Sequence, residues 1–283
     1  MSDRVTDLQT LNQTRARSFV LPREHGAWGI LLVPLVTGAT VALLRGGALV
    51  PLLLFLLAAM SLFCLRTPVE AALGASVQRI DTPAERRLVA VAIAGYLAVA
   101  AVALAALLWH GSNTGLLMLG AIAAFSFGAQ ALLRKLGRAT RMPSQMVGLV
   151  GLTCTAAGAY YVSTGRLDTT AWMMWAANWL FAANQVHMVQ LRIRNAKVAG
   201  LRERLARGWK FLAGEVLTVV LLVVFFHYRL LPKMSVVAFH PMLLRGAAWF
   251  FKKPRPLHVH RLGWMELGFA LIFGTMFISG FLR

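Results

Sequence analysis

Long apolar runs separated by short basic stretches fill almost the whole chain. A helix needs about 20 apolar residues to cross a hydrocarbon core, and nine runs approach that length. They predict helices over residues 26–44, 46–65, 88–108, 115–133, 145–162, 169–190, 211–226, 234–251 and 262–282. The eighth carries His240, Pro241 and Arg245 and is expected to be broken or interfacial. The first run follows a polar segment bearing Arg4, Arg15, Arg17 and Arg23. It lacks a small-residue cleavage site with a soluble domain behind it, so it reads as a span rather than a signal peptide. The pattern predicts an all-α, polytopic transmembrane helix bundle of about nine spans. Residues 1–22 form a polar cytoplasmic tail and residues 23–283 a single transmembrane helical domain.

Composition removes the other classes. Of 283 residues, 58% are hydrophobic and 14% charged, with a mean hydropathy of +0.66. A typical soluble domain carries about 25% charged residues, so this chain cannot clothe a water-facing surface. Ordinary soluble enzymes, disulfide scaffolds and disordered chains are excluded on that balance. Cys64 and Cys154 lie inside apolar runs, as small buried hydrophobes do.

The net charge of +19 would suggest nucleic acid on a soluble protein. Here the basic residues sit between spans, so no nucleic-acid partner is expected. With the amino terminus inside, 23 of the 29 Lys and Arg fall in cytoplasmic segments and 5 in the opposite ones, with Arg245 inside span eight. The positive-inside rule then orients the chain in a cytoplasmic (inner) membrane, amino terminus inside and carboxyl terminus outside. Trp28, Trp209, Trp249 and Trp264 fall near the inner face; Trp109, Tyr160, Tyr161, Trp172 and Tyr228 fall near the outer. Gly120, Ala124 and Gly128, and likewise Ala90, Ala94 and Ala98, recur every fourth residue. Such stripes are expected to bring helix backbones together.

Ionisable residues within spans are expensive, and each is a functional candidate. Glu24 and His25 open span one, Arg66 closes span two, and His187 lies near the end of span six. Glu215 stands about one turn into span seven and Glu266 about one turn into span nine. All lie toward the cytoplasmic side, which implies a polar cavity open to the cytoplasm. Span six carries the densest signal. At about 100° per residue, Asn178, Gln185 and Arg192 form one stripe, and Asn184, His187, Gln190 and Arg194 a second arc. Neither suits lipid. Arg23 with its neighbours crowns a helix amino terminus, a setting attractive to anions. The stretch after span two brings Arg66 and Glu70 at i,i+4, then Arg79. His258 and His260 in a basic loop do not make a metal site by themselves, and His25 with His187 would be needed to hold a haem. No metal is assigned.

The segment Leu21-Pro-Arg-Glu-His-Gly-Ala-Trp-Gly-Ile-Leu-Leu-Val-Pro34 resembles the opening signature of the YwiC-like family of bacterial membrane proteins. A more distant resemblance, to the UbiA superfamily of intramembrane prenyltransferases, implies nine helices, an inside amino terminus and active-site loops after helices two and six. That family holds magnesium and a diphosphate there with NDxxDxxxD and DxxxD motifs. The corresponding stretches here, Arg66 to Glu70 and Asn184 to Gln190, contain no aspartate. Magnesium is therefore not expected in the usual aspartate-rich form. Arg66, Arg79, Arg192 and Arg194 are expected to meet an anionic group directly, since arginine binds phosphate or carboxylate in bidentate fashion.

Together these point to a membrane protein that binds or modifies an isoprenoid, quinone or other amphipathic lipid with an anionic head group. An enzymatic role would be that of a prenyltransferase-like transferase. Two alternatives remain: a transporter of a small anion or metabolite, and a non-catalytic accessory subunit of a larger membrane complex. Topology is directly testable. A reporter fused after Arg283 is expected outside and one inserted at residues 195–207 inside; a cytoplasmic carboxyl-terminal reporter would mean a miscounted span.

Overall fold

A computed structural model of the protein describes residues 15–16, 18–22, 25–74, 79–111, 114–137, 140–196, 198, 200–252 and 258–282, with backbone alone at 25–27 and 259. No β-strand occurs among the described residues. The helices are α1 (His25–Leu44), α2 (Leu49–Ala72), α3 (Pro83–Trp109), α4 (Thr114–Lys135), α5 (Arg141–Thr153), α6 (Thr155–Thr164), α7 (Thr169–Arg194), α8 (Leu201–His227), α9 (Lys233–Val237), α10 (His240–Phe251) and α11 (Val259–Ser279). Each of the nine apolar runs coincides with one helix or with a consecutive pair.

Seven segments among the described residues are long and apolar enough to cross a membrane: α2, α3, α4, α5 with α6, α8, α9 with α10, and α11 from His260. The first and sixth runs fall outside that set for different reasons. Trp28–Leu44 of α1 is apolar but short. Helix α7 has 26 residues, about 39 Å at 1.5 Å each, yet its amides lower its hydropathy. Large side chains such as Leu53, Val91, Val102, Phe125, Val216, Val220 and Val223 are exposed on the helices. Exposed aliphatic groups at that density are suited to lipid rather than water.

Two runs break within their length. Span five divides at Cys154, where three neighbouring side chains turn back on the helix. Thr153 Oγ1 donates to the Leu149 carbonyl, Cys154 Sγ to Gly151, and Thr155 Oγ1 to Leu152. Such back-bonding competes with the helical ladder and bends it. Span eight divides at Ala238 and Phe239, between α9 and α10. The polar stretch around 191–210, read from sequence as a connection, is instead helical from Leu201. Glu203 and Arg207 pair at i,i+4 there (2.7 Å), and Arg204 is buried with Nε on the Val198 carbonyl (2.9 Å) and Nη1 on Trp249 (2.9 Å) and Lys252.

The chain forms two compact units, residues 1–27 with 50–111 and residues 28–49 with 112–283. In the first, Phe19 packs with Ala71 of α2 and Val89 of α3. Thr82 and Glu85 cap α3 reciprocally: Thr82 Oγ1 accepts from the Glu85 N–H (3.2 Å), and Glu85 Oε2 accepts from the Thr82 N–H (3.1 Å). Arg15 reaches the same corner, with Nη2 at 2.6 Å from Asp81 and Nε at 2.7 Å from Glu85.

In the second unit α7 is the hub. It packs against α5, α6, α8 and α10. It also meets α1 through Asn178, which donates to Thr37 Oγ1 (3.1 Å), and α11 through stacked Phe181 and Phe273 (4.0 Å). Trp175 and Trp179, one turn apart, donate indole N–H groups to the Val150 and Met146 carbonyls of α5. Near its start, Asp168 accepts from the Ala171 N–H (3.1 Å) and from the Tyr160 hydroxyl (3.2 Å). Arg45 Nη1 in turn donates to Tyr160 and Thr170, each at 3.1 Å.

The small-residue stripes do not do what the sequence suggested. Gly120, Ala124 and Gly128 are exposed, as are Ala90, Ala94 and Ala98. Their helices pack through other faces: Gly115, Leu119 and Ser126 on α4, and Val89, Ala100 and Ala103 on α3. Spacing permits a close approach, but the shape of the neighbouring helix decides which face receives it. Among the described glycines, the tightest approach to another backbone is at Gly38, where a Cβ would lie 2.1 Å from the Ala156 carbonyl oxygen of α6. Gly38→Val is therefore expected to cost about 1–3 kcal/mol by overpacking, seen as a lower unfolding temperature in detergent. Gly120→Ala, where a Cβ meets nothing within 4 Å, should be neutral in the same assay.

A buried polar cluster as candidate functional site

Five polar side chains on four helices of the second unit converge away from solvent. Asn184 and Gln185 come from α7, Glu215 from α8, Arg245 from α10 and Glu266 from α11; each is between 7% and 9% exposed. Their positions follow from the helices that carry them. Asn184 and Gln185 are consecutive, so they point about 100° apart and reach different neighbours. Asn184 Nδ2 donates to Glu215 Oε1 at 2.5 Å. Gln185 Nε2 donates to the backbone carbonyl of Glu266 at 2.8 Å.

Arg245 is the centre of charge. Its Nη1 donates to Glu266 Oε2 at 2.5 Å, and its guanidinium carbon lies 4.5 Å from the centre of the Phe269 ring. It acts electrostatically on Glu215 and on Arg192 as well. The next residue makes room for the arrangement. A Cβ at Gly246 would stand 2.4 Å from Glu215 Oε1 and 3.0 Å from the Phe211 ring, so only glycine lets α10 approach α8 here.

Several atoms of this cluster are buried without a hydrogen-bond partner: Arg245 Nε and Nη2, Glu266 Oε1 and Asn184 Oδ1. A buried polar group left unpaired costs about 1–3 kcal/mol. Arg245 Nε and Nη2 form one edge of the planar guanidinium, the fork that grips two oxygens of a phosphate or carboxylate. The site thus leaves one two-donor edge and two acceptors without partners.

Other residues singled out from the sequence fall around this cluster or elsewhere. Arg192 is half-buried and within electrostatic range of Glu266. His187 is half-buried, its ring edge against Phe211 with centroids 5.3 Å apart. Gln190 is half-buried and Arg194 exposed. Asn178 lies farther along α7, bonded to Thr37 and to the Met174 carbonyl. In the first unit, Arg66 Nε and Glu70 Oε1 pair at 2.8 Å on α2, and Arg79 is exposed. Arg23 and Glu24, and the side chain of His25, lie outside the described residues.

Glu215 was expected one turn inside its span, but α8 begins ten residues earlier than the apolar run, and the carboxylate stands in the middle of the helix. The sequence places Glu266 among the ionisable residues of the cavity and Arg245 inside span eight, but does not pair them. The signal for joining them was available: a guanidinium inside an apolar span requires a carboxylate, and Glu266 is the acid of the following span.

Residues 21–161 match a protein family described as YwiC-like protein. No curated protein matches the chain. All five residues of the cluster lie beyond the matched segment.

The ion pair makes a clear stability prediction. Removing one partner of a buried pair costs about 3–5 kcal/mol, whereas replacing both by apolar groups is often neutral. Arg245→Leu and Glu266→Leu should each destabilise by that order in denaturant titrations in micelles. The double variant should regain most of the loss.

Proposed function

The chain belongs to the YwiC-like family, and on that premise we propose that it is an inner-membrane protein that binds an amphipathic, isoprenoid- or quinone-type lipid by an anionic head group at the Arg245 cluster. One observation carries this reading: Arg245 Nε and Nη2 are buried and unpartnered, although arginine is retained in apolar surroundings only where its donors are used. A phosphate or carboxylate supplies two acceptors to that edge. Aromatic side chains on the same helices, Phe211, Phe250 and Phe269, would flank a hydrocarbon chain.

The amino terminus is inside on this reading, and the basic ends of α7 and α8, with Arg192, Arg194, Arg202 and Lys210, face the cytoplasm. Positive charge at that mouth attracts an anionic head group and raises its encounter rate. On this reading binding does not route through magnesium: hard cations want several carboxylate oxygens, and each of the two carboxylates of the cluster already gives one oxygen to a donor, Glu266 to Arg245 and Glu215 to Asn184. Prenyl transfer to an acceptor would need an ionising group for the diphosphate, and the aspartate-free stretches at 66–70 and 184–190 argue for binding over transfer.

Farnesyl methyl phosphate, a lipid phosphodiester of fixed single charge, is a suitable probe. It is expected to bind the detergent-purified protein and to remain bound in excess chelator. Arg245→Lys should weaken binding at least tenfold, since an ammonium cannot replace the planar fork. Dimethyl phosphate, with the same head and no chain, should bind far more weakly. Equal binding of the two would instead favour a small-anion carrier, and loss on chelation would restore a metal to the site.

A further inference from the structure

The cluster has a charge balance that its two carboxylates do not share equally. Glu266 touches Arg245 directly, with oxygen and nitrogen 2.5 Å apart. Among the described residues Glu215 makes no ion pair: its Oε1 accepts from the neutral Asn184 amide and lies against Gly246. Of the charged and titratable groups on the packed helices, Arg245 on α10 acts on Glu215 directly, and it is shared with Glu266 on α11 and Arg192 on α7; His187 on α7 lies against Gly214, the residue before Glu215, and Lys210, five residues before it on α8, is exposed.

Counting Arg245 and the half-buried Arg192 against Glu215 and Glu266, the cluster is neutral when both carboxylates are ionised. An anion on the free edge of Arg245 would add one uncompensated negative charge in a medium that solvates charge poorly. A proton on Glu215 removes it.

The buried amide beside it supplies an independent sign. Asn184 Oδ1 has no donor, whereas a protonated Glu215 would carry an O–H beside that amide, so that acid and amide could pair through two bonds, Nδ2–H to the acid's carbonyl oxygen and O–H to Oδ1. Protonation would therefore satisfy an acceptor that the ionised form leaves bare.

We infer that the cluster binds an anion together with one proton, the anion on Arg245 Nε and Nη2 and the proton on Glu215. This rests on the anion-binding reading above and specifies how the charge is balanced. No bond is broken: a proton from solvent joins the Glu215 carboxylate as the anion enters, and both leave together. Affinity must then rise as pH falls while Glu215 is ionised in the free protein, and level off once it is already protonated.

The experiment is titration of the full-length protein in detergent with farnesyl methyl phosphate, whose charge is constant across the neutral range. Affinity is expected to rise about tenfold per unit fall in pH. Calorimetry in buffers of different ionisation enthalpy should report one proton taken up per ligand. Glu215→Gln mimics the protonated acid and should bind with no pH dependence and no proton uptake, while His187→Gln should keep both. Binding that is independent of pH, or a slope that survives in Glu215→Gln, overturns the proton linkage and leaves the lipid site standing. No binding at any pH overturns both. Dimethyl phosphate separates the sources: the same slope with the chain-free anion assigns the coupled site to a free anion, still with its proton.

Discussion

The hydrogen bonds of α7 govern the larger unit. In hydrocarbon a side-chain amide has no water to turn to, and an unpaired one costs several kcal/mol. Helix α7 carries Asn178, Asn184, Gln185 and Gln190, so it cannot sit at a lipid face. It is enclosed by α1, α5, α6, α8, α10 and α11, and its amides reach Thr37, Glu215 and the Glu266 backbone. Its neighbours, with aliphatic outer faces, take the lipid-facing positions. The polarity that makes α7 a poor membrane span by composition is what makes it the centre of the bundle.

That centrality sets requirements on the partners. Helix α5 offers carbonyls at Met146 and Val150 to two tryptophans one turn apart, and Ser126 of α4 bridges to Val147 and the Gly151 N–H. The break at Cys154 lies just beyond this ladder, where threonine and cysteine side chains turn inward on their own helix. Small residues matter where backbones or buried carboxylates come close, at Gly38 and Gly246, and not where they merely recur.

The buried ion pair is a different kind of feature. Desolvating two charges costs about as much as their attraction returns, so Arg245 and Glu266 are poor agents of stability. On the proposed reading, an anion on Arg245 Nε and Nη2 would use the donors that the pair leaves bare. Glu266 is held by a guanidinium and Glu215 by an amide, and it is this asymmetry from which we infer that Glu215 carries the proton.

The class of the protein was legible from the sequence because hydrophobicity and span length are local properties, and nine runs of the right length survive any tertiary arrangement. Span eight was legible as irregular for the same reason, with His240, Pro241 and Arg245 in one run. The importance of Asn184, Gln185 and Glu215 was also readable, since amides and carboxylates inside apolar helices demand partners. Which partners they found was not readable. The sequence alternates small residues at Gly120 and Gly128 as plainly as it places a glycine at Gly246, yet only the latter is pressed against another helix. Likewise Arg66 resembles Arg245 as a lone arginine at an apolar run, but Arg66 pairs with Glu70 on its own helix while Arg245 crosses to Glu266 on another. Periodicity fixes which face of a helix a residue occupies. Only the packing of helices distant in sequence decides what that face meets, because the contact depends on shapes and approach distances that no single segment encodes.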